Sequence, residues 1–304
     1  MTSAEEYAQF ALAHLPELYA QKWISLLRPA VQFPDAAAAA GERPALRLGG
    51  NPQLPDEVAW PAFEGYGPLS FIAELDCAAV AAVAAVGRVD LMPETGHLLF
   101  FCVDERYDGP GQEIDYPRHL TAWTAGRVIH VPDGRPRRYR TAPEGLEPYE
   151  SGSHAAQLAS TPPSTRHEFA ERYFGAETAA LIERSRADLM RGAVRQVEAV
   201  YPLWADEFAS GVHDLRATYS QCGGHSYPVQ GPAELEAARD AIDAGLSAHV
   251  SVLDEAEHWR VLLQMAGDED LGMVWGDCPV AYWMIRDDDL AARRFDRVWF
   301  TMQN

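Results

Sequence analysis

Basic residues are scarce in this chain. Against 45 aspartates and glutamates stand 25 lysines and arginines, which gives a formal charge of −20 at pH 7 and a pI near 4.8. Proteins that bind DNA or RNA draw most of their affinity from Lys and Arg neutralising phosphates, so the balance argues against a nucleic-acid partner. The charge serves solubility first, and beyond that an acidic face for a basic protein or a metal ion. Cysteine is scarce too. The four thiols, Cys77, Cys102, Cys222 and Cys278, show no C-x-x-C spacing, and they read as reduced core residues. No window reaches the roughly 18 uninterrupted apolar residues of a membrane span. The N-terminal stretch carries acids where a secretion signal needs basic residues. A cytoplasmic location, with no membrane partner, is the expectation.

Recognised catalytic motifs are missing as well. There is no G-x-S-x-G, no G-x-x-x-x-G-K-[ST], no G-x-G-x-x-G and no paired His or Cys spacing for zinc. This excludes only the enzymes that use them. No cofactor is expected, and a divalent cation is the one ion the acids could take.

What is present is the profile of a globular chain of 304 residues, 47% hydrophobic and 23% charged. Ser3 to Glu6 has capping-box spacing, and Tyr7, Phe10, Ala11 and Leu15, then Leu18, Trp23, Ile24 and Leu27, recur at helical intervals. An N-terminal helical segment over 1–29 follows. The alanine-rich stretch 30–44 reads as a connector. From Arg47 to Pro68 paired glycines and four prolines describe a rigid loop that feeds a strand over Leu69 to Leu75. A short helix is expected over Asp76 to Val86 and a buried strand over His97 to Val103. Leu120 to Trp123 and Arg127 to Val131 give further strands. Residues 165–210 read as a helical insertion. Pro232 to Leu246 forms another helix, with Glu234, Glu236, Arg239 and Asp243 outward.

The two strand-rich parts share an order of features. Leu48-Gly-Gly-Asn-Pro is answered by Cys222-Gly-Gly-His-Ser-Tyr-Pro, Leu69 to Asp76 by Val261 to Asp268, and Gly96 to Phe101 by Gly276 to Trp283. Pseudo-repeated halves over about 45–150 and 219–304 are inferred. Strands without regular crossover helices pair antiparallel, so the fold class is α+β with largely antiparallel sheets. A cleft between the halves would be the natural ligand site.

In that order the segments RLGGNPQLPDEVAWP, GPLSFIAELD, LMPETGHLLFF, CGGHSYPVQG, WRVLLQMAGDED and MVWGDCPVAYWMIRDDDLAARRFDRVWFTMQ resemble the YwqG-like family, a bacterial domain of unknown function. The resemblance runs from about residue 45 to the end. It implies a cytoplasmic α+β protein without an established activity, and it carries over no catalytic residues. Glu74 stands where the family has a glutamine, and Cys222-Gly-Gly-His225 where it more often has an apolar-glycine-tyrosine turn.

Several places could carry chemistry. Trp275-Gly276-Asp277 sets a carboxylate beside a flat aromatic face, although a β-turn explains it as well. Gly267 to Gly272 clusters Asp268, Glu269 and Asp270, hard oxygen ligands that also suit a solvated turn. Asp268 and Asp270 are thus the only metal-ligand candidates, and no metal is expected. Asp287, Asp288 and Asp289 suit a helix start. Arg47, Gly49, Gly50, Trp60, Trp275 and Gly276 form the candidate ligand surface. Asp277, Asp268 and Glu74, with His225 as helper, are the acid and base candidates of a hydrolase or transferase. The leading expectation is a non-enzymatic protein that binds a small molecule or a protein. The alternatives are that carboxylate-dependent enzyme and an acidic, immunity-type partner of a basic protein.

Overall fold

The structure, a computed structural model, describes residues 4–15, 17–34, 43–87, 92–104, 106, 123–163, 220–227, 229–275 and 280–303. The helical insertion expected over 165–210, residues 120–122 of the strand expected over Leu120 to Trp123, and Gly276 and Asp277 lie outside them; Trp123 itself is in a turn. The chain divides into two compact units, Met1–Pro29 with Ala159–Ala217 and Ala30–Leu158 with Thr218–Asn304.

In the first unit the apolar spacing folds as read. Helices α1 (Ala4–His14) and α2 (Glu17–Ile24) bury Tyr7, Ala11, Leu15, Ala20 and Trp23 in one cluster. Tyr7 meets Trp23 edge to face at 6.0 Å, the geometry ring quadrupoles favour.

The strands in chain order are β1 (Arg28–Gln32), β2 (Leu46–Leu48), β3 (Gln53–Leu54), β4 (Ala62–Phe63), β5 (Gly67–Pro68), β6 (Ser70–Asp76), β7 (His97–Cys102), β8 (Gly126–Val131), β9 (Arg138–Tyr139), β10 (Gly152–His154), β11 (Gln157–Thr161), β12 (Gln221–Gly223), β13 (Trp259–Ala266), β14 (Val280–Arg286) and β15 (Trp299–Gln303). They make a five-stranded sheet, β10-β2-β6-β7-β8, and a six-stranded one, β11-β1-β12-β13-β14-β15, with two small ribbons, β3-β9 and β4-β5. The neighbouring strands of known register run antiparallel. Helices α3 (Cys77–Gly87), α4 (Ala233–Asp243), α5 (Val252–Ala256) and α6 (Asp287–Ala291) complete an α+β fold.

The alternation along a strand explains how the second unit packs. On β7, Leu98, Phe100 and Cys102 enter a core shared with Leu263, Trp283, Ile285 and Phe300 of the larger sheet. Leu99 and Phe101 point the other way, into a cluster with Leu54, Leu69, Phe71 and Val131. The five-stranded sheet is therefore covered on both faces, which is why HLLFFC is apolar throughout. Trp283 joins the sheets. Its ring meets Phe100 at 5.5 Å and Phe300 at 5.0 Å, and its Nε1 donates to Phe101 O at 3.3 Å.

Two sequence expectations need correction. Residues 30–34 are not a dispensable connector: Ala30, Val31 and Phe33 are buried, and β1 pairs with β12. Glu234 does not face outward but is 5% exposed, because its carboxylate takes hydrogen bonds from Ser226 N and Ser226 Oγ. A partnered carboxylate can enter a core that an unpartnered one cannot.

Candidate functional site

The outer face of the five-stranded sheet carries a buried ion cluster. Arg47 on β2 is paired in register with Glu74 on β6, and both side chains leave the sheet on the same face. Glu74 Oε2 accepts from Arg47 Nη2 at 2.7 Å, and Oε1 accepts from Arg137 Nη1 at 2.5 Å. His97 Nδ1 lies 3.0 Å from Oε1, while its Nε2 lies 2.8 Å from Arg137 Nη2. An arginine can only donate, so Nε2 is the acceptor of that pair, and Nδ1 lies close to Glu74 without a well-aligned hydrogen bond. Burial alone would raise the Glu74 pKa. The His97 ring beside it and the hydrogen bonds from Arg47 and Arg137 overcome it and hold the carboxyl at about 2. Glu74 is therefore an anion across the neutral range, a poor acid or base.

The segment over this cluster is the arginine-rich stretch 135–140. Ribbon β3-β9 pairs Gln53 with Tyr139 and Leu54 with Arg138. Arg135 pairs with Glu57, Arg138 reaches Asp56 at 2.6 Å, and Arg140 donates to Val58 O at 3.2 Å. These three arginines tie the stretch to the proline-rich loop, while Arg137 ties it to Glu74. Sequence reading passed over these arginines because their acceptors lie some 80 positions away.

The glycine pair after β2 is backbone chemistry. Gly49 and Gly50 have φ of 57° and 64°, a region costly for other residues. A Cβ on Gly49 would lie 2.0 Å from Glu150 O. Their amides are engaged, Gly49 N by Ile72 O and Gly50 N by Tyr149 O, both at 2.9 Å. Arg47 is likewise committed, since its Nη1 donates to Gly49 O at 3.2 Å and Asn51 O at 3.3 Å.

Beside the pair opens a small pocket of about 10 Å³, walled by Trp60, Phe71, Tyr149, Leu146 and Pro148, with Gly50, Ser70, Ala142 and Glu147 completing the lining. It has room for one water-sized group. Trp60 is fixed by Nε1 donating to Leu69 O at 2.8 Å and by its edge-to-face contact with Phe101. Behind the lining sits Asp104. Its Oδ1 accepts from Ser70 Oγ at 2.6 Å and from Arg106 N at 3.0 Å, and its Oδ2 accepts from Tyr149 Oη at 2.6 Å. Burial raises its pKa, against the lowering effect of those hydrogen bonds and the Arg106 charge. Burial, followed by the Asp104 charge, pushes the Tyr149 hydroxyl well up. Trp275 Nε1 donates to Tyr149 Oη at 2.7 Å. A wider open hollow of about 540 Å³ passes Ala62, Phe63, Glu64, Thr124 and Arg127, but Arg127 donates there to Trp123 O at 2.7 Å.

The structure thus gathers Gly50 and Trp60 at one pocket, with Trp275 bonded to its wall and Arg47 and Gly49 next to it. The other candidates lie elsewhere. Asp268 bridges to Met273 through the backbone and caps Leu271 N with Oδ1 at 3.0 Å, a turn in its own right. Among the described residues no group of three or more acidic, His or Cys side chains is placed to hold a metal. His225 is buried, its carbonyl accepting from Gln221 Nε2 at 2.9 Å. Asp289 is buried against Arg294 at 2.5 Å, at the start of α6. Cys77, Cys102 and Cys222 are free, buried thiols. Burial pushes Cys77 up to about 12 and the other two well above their ordinary value. Sequence reading missed Asp104, Ser70 and Tyr149, since a lone acid, serine and tyrosine 34 and 45 positions apart leave no local pattern.

Fold and site define an α+β protein of antiparallel sheets with a buried ion cluster and a small aromatic pocket. The chain belongs to a family described as a domain of unknown function (DUF1963), whose model matches residues 47–303. No curated protein matches the chain.

Proposed function

We propose that the chain is a non-enzymatic binding protein whose ligand surface is the pocket framed by Gly50, Trp60, Ser70, Phe71 and Tyr149. The carrying observation is the contrast between two adjoining places. Over β2 and β6 one carboxylate is taken up by two guanidinium groups and holds a strap of chain, whereas the pocket beside them joins aromatic walls to a hydroxyl and an open carboxylate. Aromatic walls with a few convergent polar groups are the usual composition of a ligand site. The YwqG-like resemblance and the inferred duplication fit this reading, with Arg47, Gly49 and Trp275 as supports around the pocket. A cytoplasmic setting without nucleic-acid or membrane partners follows from the charge and from the buried thiols. Among the described residues no helix is long and apolar enough to cross a membrane. Isothermal titration against amines, amino acids, sugars and nucleotides, run beside turnover assays on esters, phosphates, glycosides and amides, tests the proposal. Saturable binding weakened by Trp60→Leu, with no turnover, supports it; turnover of any substrate contradicts it.

One observation favours a second reading, a carboxylate-dependent hydrolase. Ser70 donates to Asp104, whose pKa is raised toward the working range of a general base. In that reading Asp104 takes the role first given to Glu74, Asp268 and Asp277. Asp104→Asn would then abolish turnover in a chain that still folds, at a stability cost of about 1–3 kcal/mol for the acceptor lost to Tyr149 Oη.

A further inference from the structure

Building on that site, we propose that the pocket takes a primary ammonium group, the tip of a lysine side chain or of a small alkylamine. Size is the first argument. A pocket of about 10 Å³ admits one water-sized centre, which fits an ammonium and excludes a carboxylate, phosphate or trimethylammonium.

Wall chemistry is the second. Trp60, Phe71 and Tyr149 line the pocket with rings of the kind that attract cations, and Leu146, Pro148 and Ala142 supply apolar surface for the methylene stem. Two of these rings already hold internal cations: Arg47 Cζ lies 5.2 Å from the Phe71 centroid and Arg106 Cζ 4.3 Å from that of Tyr149.

The polar lining consists of acceptors. Ser70 gives its only hydroxyl hydrogen to Asp104 and keeps lone pairs. The Glu147 side chain, 79% exposed, stands at the rim with Arg106 3.5 Å away. Three donors that could have met an anion are engaged: Gly49 N and Gly50 N bond Ile72 O and Tyr149 O, and Arg47 is divided between Glu74, Gly49 O and Asn51 O. Arg47 and Arg106 are the positive charges an incoming ammonium meets. Glu74, shared with Arg137, offsets part of the first and Glu147 the second, within a chain of net charge −20 that draws cations in.

The test is a two-dimensional NMR titration of the full chain, following the Trp60 indole N–H and the Gly50 amide. The probes are N-acetyl-lysine methylamide, butylamine, the uncharged isostere N-acetyl-norleucine methylamide, and acetate. Expected are saturable shifts with both ammonium compounds, roughly tenfold weaker binding of the norleucine probe, and several-fold weaker lysine binding in Glu147→Gln or at raised salt. Tighter binding of the lysine derivative than of butylamine supports a protein side chain as the source, and equal binding supports a small amine. Equal response to norleucine and lysine, or response to acetate alone, overturns the ammonium proposal and leaves the pocket a binding site. No response to any probe overturns both.

Discussion

The outer faces of the two large sheets solve one geometric problem with different chemistry. In each, a short strand runs into two glycines of positive φ, Gly49 and Gly50 after β2, Gly223 and Gly224 at the end of β12. Each following long strand carries a register shift, between Phe71 and Ala73 on β6 and between Val261 and Leu263 on β13. The residue just past the shift on the outer face is Glu74 in one sheet and Gln264 in the other, registered with Arg47 and Gln221. Around Glu74 the strap is held by charge. Around Gln264 it is held by amides: Gln264 Oε1 accepts from Tyr227 N at 2.7 Å, Gln303 Oε1 from Val229 N at 3.0 Å and Gln230 N at 2.9 Å, and Tyr282 Oη donates to Tyr227 O at 2.5 Å. The comparison teaches that a polar residue at this position anchors a covering segment. Glu74 is an ionic version of the anchor that Gln264 makes with its amide.

Several substitutions can break or sharpen the comparison. Gly49→Ala has the largest expected effect, a loss above about 3 kcal/mol or failure to fold, since the added carbon meets Glu150 O in a left-handed backbone; thermal denaturation measures it. Glu74→Gln should cost about 3 kcal/mol, because it leaves the half-buried guanidinium groups of Arg47 and Arg137 without a counter-charge. Gln264→Leu should cost about 1–3 kcal/mol, the penalty of an unsatisfied Tyr227 N–H without any charge. The sharper form is the pair Arg47→Gln with Glu74→Gln, which gives the first sheet the amide chemistry of the second. Urea unfolding should show the pair less destabilised than the sum of its singles.

Much of the framework was legible because its signals are local. HLLFFC and the strands at 69–76 and 259–266 announce themselves as apolar runs, and the helices at 4–14 and 233–243 by spacing. The two-residue strands β3, β4, β5 and β9 were not, since pairs such as Leu54 with Arg138 depend on a partner far along the chain. The candidate site was legible in part. Gly50 and Trp60 stood out by residue type, and the structure brings them together. Ser70, Asp104 and Tyr149 did not, because only folding sets their oxygens 2.6 Å apart. Trp23, read as part of an apolar helical stripe, is fully buried, as are Trp259, Trp283 and Trp299.

The central claim is that Glu74 is a buried anion that anchors the strap and leaves binding to the adjoining pocket. Its pKa is lowered in the folded chain, from 4.5 to about 2. The stability it contributes is therefore present above about pH 4.5, and it is lost as pH falls through the folded value. The most direct test is urea unfolding of the native chain and Glu74→Gln from pH 7 to pH 3. The account predicts a gap on the order of 3 kcal/mol at pH 7 that shrinks by half or more at pH 3. A gap below about 1 kcal/mol at pH 7, or one that does not change with pH, would contradict it.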